Sequence, residues 1–523
     1  MNRKIIDSIF VALIVLLMFE GIPKVLYFRF FGGPITDKLV WMPLFIGVLY
    51  TLYCHYKYKN VFTNTEKFLK YISVYFGVIL ISLLIGLYNY PFYNEIQIRD
   101  NDLVIIESFL GRYIISLFGI NNEQFVLILY IIRKLKFIIL ETFWCFGGSY
   151  MIYCWYKNHY EDARNALFKG ILISAIVLSV FGLIETAKIF GSEDAKQLLL
   201  GLAPFLHENA TTSWGWPPML WPNMRLVFCE SSFMGNYIAF FLPCLYYMFY
   251  KKDKWYHIGF IYLFSFFVFL SKARTCWALM FGLMFLLLFC NLIWKNKKYF
   301  YKMVAIFFVT FIAFESYLGF LAAKQSYDNT LVINKKTVTQ SDTKIRTDLS
   351  ASQEVKSNLI NLASSTARSN SVRYGVMKAN FRVFLENPIF GVGSGLQSAY
   401  AANSYTEYES NLSEIERWIT AYKNNGPFGK DVLHSGFNEY VDRLAQTGIL
   451  GATAFFLPFL YVLFKLVKNI LNVDESKKID MGFMLLTLIS LLVSGLNVGL
   501  HIVYCIWTIL GLAYVIVDEH YVK

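Results

Sequence analysis

The chain has 523 residues, of which 56% are hydrophobic, 18% aromatic and only 16% charged. A mean hydropathy of +0.46 with so few charges, where soluble domains carry about 25%, excludes a cytosolic enzyme, a secreted disulfide scaffold and a disordered chain. The class is an all-α polytopic membrane protein, and the formal net charge of +12 gains meaning only when divided between the two sides of a membrane.

The apolar segments follow one another along the whole chain. Twelve approach the ~20 residues a helix needs to cross the hydrocarbon core: 5–19, 39–53, 71–88, 137–155, 167–184, 233–250, 256–270, 276–294, 301–320, 449–466, 481–498 and 502–517. The first follows Met1 to Lys4 without a small-x-small cleavage site, so it reads as a span and not as a signal peptide. The eight cysteines show no C-x-x-C or Cys/His spacing and mostly sit in apolar runs, so neither a metal site nor a disulfide framework is expected.

With the N-terminus cytoplasmic, every inner segment is basic: Arg3 and Lys4; Lys57, Lys59 and Lys67; Lys157 and Arg164; Lys251, Lys252 and Lys254; Lys295, Lys297 and Lys298; Lys465, Lys468, Lys477 and Lys478; and Lys523. This agreement places both termini inside. The expected organisation is helices 1–9 over residues 1–320, a large outer loop over 321–448, and helices 10–12 over 449–523. Smaller outer loops fall at 89–136, whose part 125–136 reads as an interfacial helix, and at 188–232. Within the large loop, 325–370 is rich in Ser, Thr, Asn and Lys. Residues 371–386 then read as an amphipathic helix stopped by Asn387-Pro388 and followed by the turn Gly391-Val392-Gly393-Ser394-Gly395.

The unusual residues collect on the outer side. Lys272 and Arg274 sit in a tight outer turn, with Thr275 as an N-cap candidate; Lys272 reads as a snorkelling cation at the headgroups. Upstream, Arg225 precedes Cys229-Glu230-Ser231-Ser232, where the two serines suit a helix start. A helix N-terminus beside a guanidinium is a natural phosphate site. Glu230 has two readings, an orienting partner for an arginine or a favourable charge at a helix start. His434 precedes a short helix that runs into the span at 449–466. The positive helix end favours neutral imidazole, the form a general base needs. Arg373 on the amphipathic helix is a further candidate, with a solvated helix face as its alternative. Asp100-Asn101-Asp102 reads as a polar loop, and the glycine run follows no strand, so it is no dinucleotide fingerprint. Glu141, Glu185 and Glu315 lie near span ends, where snorkelling is the default reading.

Four stretches together resemble the O-antigen ligase/O-antigen polymerase superfamily of bacterial envelopes: Arg225 to Gly235 around Glu230-Ser231-Ser232, Ser271-Lys272-Ala273-Arg274-Thr275, Asn387 to Gly395, and His434-Ser435-Gly436-Phe437-Asn438. The resemblance runs from about Arg225 to Gly451. It implies a membrane-type (GT-C-like), metal-independent, inverting glycosyltransferase that needs no cofactor. Its donor would be an undecaprenyl-diphosphate-linked saccharide at the outer face of the bacterial inner membrane. Its acceptor would be another saccharide, a lipid A core or a protein, with a chain-length regulator or flippase as further partners and no nucleic acid. Carried over by motif, Arg225 and Arg274 hold the diphosphate, His434 activates the acceptor hydroxyl, and Arg373, with Glu230 and Ser232, sits near the diphosphate or sugar. The family often has Glu-Pro-Ser where this chain has Glu230-Ser231-Ser232, which weakens Glu230 as an anchor. The long polar outer loop leans the reading toward a polymerase, with a ligase as the alternative. A transporter or flippase, the alternative of another class, would call for internal repeats and mid-membrane ionisable groups, and neither stands out.

Overall fold

The computed structural model describes residues 1–20, 38–59, 65–98, 100–206, 223–336, 368–427 and 437–521, with positions 22, 26 and 62; side chains at 100, 101, 325–336, 368, 369 and 519–521 are outside that description. Among the described residues there is no strand, only one isolated antiparallel bridge between Glu20 and Lys38. Each of the twelve apolar segments falls on a helix or helix pair. Five helical stretches, Glu66–Tyr88, Tyr160–Ile189, Arg274–Trp294, Lys297–Lys324 and Glu439–Ile470, are long and apolar enough by themselves to cross a membrane.

In chain order the elements begin with α1 (Arg3–Leu16), α2 (Trp41–Tyr58), α3 (Glu66–Tyr88), α4 (Asp100–Glu107), α5 (Phe109–Phe118) and α6 (Asn122–Thr142). Through a π turn at Phe143–Gly147, α6 runs straight into α7 (Gly148–Tyr156). The expected interfacial helix at 125–136 and the span at 137–155 are therefore one continuous helix. A capping box at Asn121 and Gln124 starts it, and no proline interrupts it, so nothing in the sequence enforces a break. Then come α8 (Tyr160–Ile189), α9 (Glu193–Leu206), α10 (Ser231–Lys252), α11 (Trp255–Leu270), α12 (Arg274–Trp294) and α13 (Lys297–Lys336). The loop region holds α14 (Arg368–Glu386), α15 (Gln397–Asn403), α16 (Glu407–Ser410) and α17 (Ser413–Asn425), and the chain closes with α18 (Glu439–Ile470), α19 (Glu475–Ser494) and α20 (Tyr504–Tyr521).

The centre of the bundle is α10. Every residue from Met234 to Tyr250 is buried, as a helix apolar on all sides must be when it sits in a core. Around it pack α11, α12 and α19, while α1 lies on α8, α7 on α20, and α3 on α18. The surrounding helices carry two apolar faces. On α12, Trp277, Met280, Leu283 and Leu287 point inward, while Phe281, Phe285, Phe289 and Leu292 are exposed on the opposite face. An apolar outer stripe of this kind is stable only in a lipid-like solvent.

The ends of α10, α12 and α18 that carry Lys251 and Lys252, Lys295, and Lys468 are helix C-termini, where cations complement the backbone dipole. At this basic end Asp480 of α19 is buried and pairs with Arg164 of α8 at 3.2 Å and Lys251 of α10 at 2.8 Å. The N-termini of these same helices define the other end of the bundle.

Candidate functional site

At that other end the starts of α10 and α12 lie side by side. The Cys276 thiol donates to the Ser231 carbonyl at 3.3 Å. A Cβ on Gly235 would stand 3.0 Å from the Cys276 sulfur, so only glycine permits this approach without a shift. Helix α10 begins at Ser231, with Glu230 at the cap position and no side-chain cap. Ser231 and Ser232 are its first two helical residues and not its caps. Ser231 Oγ donates to the Met224 carbonyl at 3.1 Å, and Ser232 Oγ to Glu230 Oε2 at 2.9 Å. Helix α12 likewise has no side-chain cap: Ala273 occupies that position, and Thr275, the expected cap, is already helical.

A cavity of about 540 Å³ opens over these ends. Among the described residues three cations line it: Lys272 just before α12, Arg274 at its start, and Arg373 from α14. Ser232 and Asn438 add polar groups to the lining, and so does Asn497 from the turn after α19. Leu279, Met377, Val493 and Leu496 form the apolar remainder. No Asp or Glu is among the described residues that line it. The Arg373 guanidinium carbon lies 5.9 Å from the centre of the Phe437 ring, a cation–π distance. Burial, and then the Arg274 charge, pull the Arg373 pKa below its ordinary value, with Glu230 and Glu414 opposing. Two guanidiniums that repel across one pocket are relieved by an anion between them.

The sequence-level candidates divide as follows. The structure brings Arg274, Arg373 and Ser232 onto one cavity, with Glu230 bound to Ser232 and close enough to act on Arg373. Arg225 is buried one layer behind, and its guanidinium donates to the Cys229 carbonyl at the entry to α10. Burial also lowers its pKa, with Glu185 and Glu230 opposing. His434 lies outside the described residues, four positions before Asn438, whose side chain caps α18 by accepting from Tyr440 and Val441. Asp102 pairs with Arg133 at 3.5 Å.

Several readings need correction. Lys272, taken for a snorkelling cation, lines the cavity with a left-handed backbone (φ 52°). Glu185 and Glu141 do not snorkel. Both are buried: Glu185 accepts the backbone N–H groups of Arg225 and Leu226, and Glu141 accepts from Arg443. Tyr374 lines the cavity too; neither it nor Asn497 carries a motif, and only the polar interruption of the last apolar hairpin hints at Asn497.

The glycine run docks on the start of the last long helix. Helix α18 breaks at Gly448 (φ 61°, ψ −169°), where a Cβ would fall 2.2 Å from the Ile389 carbonyl oxygen. The freed groups pair across the junction, Ile449 N–H to Pro388 O at 2.8 Å and Gly393 N–H to Gln446 O at 2.8 Å. Thus the Asn387 to Gly395 stretch fixes α14, and with it Arg373, against the short segment that carries Asn438.

Residues 258–456, from α11 through the Gly448 junction, match the family described as O-antigen ligase. No curated protein matches the chain. The matched stretch contains Lys272, Arg274, Arg373 and Asn438, while Ser232 and Asn497 complete the cavity from outside it. This match over residues 258–456 supports a relationship to the O-antigen ligase/polymerase superfamily of envelope polysaccharide assembly.

Proposed function

We propose that this protein transfers an oligosaccharide from undecaprenyl diphosphate at the outer face of the bacterial inner membrane, as a polymerase of O-antigen, capsule or exopolysaccharide repeat units. The observation that carries the reading is the pair Arg274 and Arg373, set with Lys272 in one cavity whose other walls include Leu279, Val493 and Leu496. Cations for a diphosphate next to apolar surface for a lipid are what such a donor requires. Twelve spans with both termini cytoplasmic agree with the basic residues gathered at the end of the bundle away from the cavity.

In this mechanism the acceptor hydroxyl oxygen attacks the anomeric carbon of the donor, and the bond from that carbon to the diphosphate oxygen breaks with inversion. His434 takes the hydroxyl proton. Arg274 and Arg373 stabilise the charge that grows on the departing lipid diphosphate. Ser232, held by Glu230, and Asn438 orient the sugar. Arg225 fixes the entry to α10 from which Glu230 and Ser232 project. The donor is already activated, and the arginines supply the stabilisation of its leaving group.

A ligase that moves the finished glycan to a lipid A core is the second reading, favoured by the description of the matched family. Deleting the gene and blotting the cell's polysaccharide separates the two. Single repeat units on a normal acceptor support the polymerase. Long chains accumulating on the lipid carrier support the ligase, and an unchanged pattern contradicts both.

A further inference from the structure

Directly behind the Asn438 wall lies a buried ionic cluster that the mechanism does not use. Arg443 of α18 donates from Nε to Glu439 Oε1 at 2.8 Å, from one terminal nitrogen to Glu141 Oε1 at 2.7 Å, and from the other to the Tyr75 hydroxyl at 3.1 Å. Its guanidinium stacks 4.2 Å over the Phe455 ring. All three charged side chains are buried, so the cluster joins α3, α6 and α18 at a desolvation cost that apolar packing would not carry.

Glu439 has a second set of contacts, and these reach the cavity. Its backbone N–H donates to the Gly495 carbonyl at 2.8 Å. Its Oε2 accepts the Leu500 N–H at 2.8 Å and faces His501 Nδ1 at 3.5 Å. One residue therefore fastens both ends of the turn that carries Leu496 and Asn497, which line the cavity. Glu439 also directly follows Asn438, another lining residue. We propose that Glu439, held in its rotamer by Arg443, is a positioning residue that sets the placement of the Leu496–Asn497 turn against the rest of the cavity lining and so the fit of the saccharide donor.

The transfer readout of this proposal rests on the function proposed above, whereas a distance across the cavity does not. Spin labels at Tyr374→Cys and Leu496→Cys, in full-length protein carrying Cys229→Ser, measure that distance without substrate. The parent and Glu439→Gln, which keeps an oxygen for the Leu500 N–H, are expected to give one narrow distance. Glu439→Ala is expected to broaden it. The variant Glu141→Leu/Glu439→Leu/Arg443→Met removes all three charges together and restores apolar packing, so it remains testable even where Glu439→Ala fails to insert. It is expected to unfold no earlier than the parent while the distance stays broad. With Tyr374, Leu496 and Cys229 native, its transfer is expected to stay down by roughly tenfold or more. A narrow, parent-like distance in the triple variant, or in a folded Glu439→Ala, would overturn the proposal. So would a broad distance in which transfer is fully retained.

Discussion

Glu185, near the end of α8, holds the backbone of Arg225 from 40 residues away in sequence: its carboxylate accepts the Arg225 N–H at 3.1 Å and the Leu226 N–H at 2.7 Å. Leu226 sits at φ 57°, a conformation costly for a branched side chain unless its surroundings impose it. The buried carboxylate imposes it, and Lys188 at 3.7 Å balances its charge. Glu185→Ala leaves two buried N–H groups without this acceptor. It is expected to cost about 3 kcal/mol and to lower the unfolding temperature of the detergent-solubilised protein, whereas Glu185→Gln retains part of the loss. An unchanged melting temperature in Glu185→Ala contradicts this role.

The cavity cations are expected to act unequally on anion binding. Arg274→Ala and Arg373→Ala each remove charge-assisted hydrogen bonds worth about 1.5–3 kcal/mol, so inorganic pyrophosphate should bind roughly 10–100-fold more weakly by calorimetry. Arg274→Lys should recover only part, because a point charge does not reproduce the planar fork. Lys272→Ala should cost less than either. Equal affinity in all variants would separate the cavity from diphosphate recognition.

The twelve apolar segments were legible because each is a long run whose period hardly matters in lipid, and the basic ends followed from the same logic. Arg274 and Ser232 stand out beside helix starts and Arg373 on the amphipathic helix, and the fold sets all three on one cavity. What lay hidden was pairing between distant segments. Glu185 looked like a lone acid at a span end, since its partners are backbone groups that no side-chain pattern announces. Glu141 looked the same, and its partner Arg443 lies 302 positions away. The continuity of α6 into α7 was hidden because a polar face before an apolar run reads as an interfacial helix, while a π turn shifts the facing without a sequence break.

The Gly448 junction should be intolerant. A Cβ there meets the Ile389 carbonyl at 2.2 Å in a left-handed conformation, so Gly448→Ala must displace backbone. The expected outcome is a loss of at least about 1–3 kcal/mol, with loss of transfer because α14 and the start of α18 separate. Wild-type stability and transfer in Gly448→Ala would show that the junction does not position the site.

His501 gives the protein a pH-dependent stability term. Burial alone would lower its pKa, but the Glu439 carboxylate at 3.5 Å, with Glu141 behind it, outweighs burial and Arg443 and leaves it above the ordinary 6.5. The Cys145 thiol faces its carbonyl, and Phe137 packs on its ring. A histidine with a raised folded-state pKa stabilises fully below the unfolded value of about 6.5 and loses that contribution as pH rises through the folded value. The melting temperature of His501→Gln should therefore fall furthest below the parent at mildly acidic pH and approach it in the alkaline range. A gap that widens with rising pH contradicts the assignment.

The central claim is that Arg274 and Arg373 carry the diphosphate of the donor while His434 serves the acceptor. Its most direct test is single-turnover transfer by the purified full-length protein in nanodiscs, using a lipid-diphosphate-linked saccharide and following product on a gel. Arg274→Ala, Arg373→Ala and His434→Ala are each expected to slow transfer by roughly 100-fold or more while inserting and melting like the parent, and Arg225→Ala to abolish it through the α10 entry. Parent-like transfer rates in the two cavity arginine variants would contradict the account.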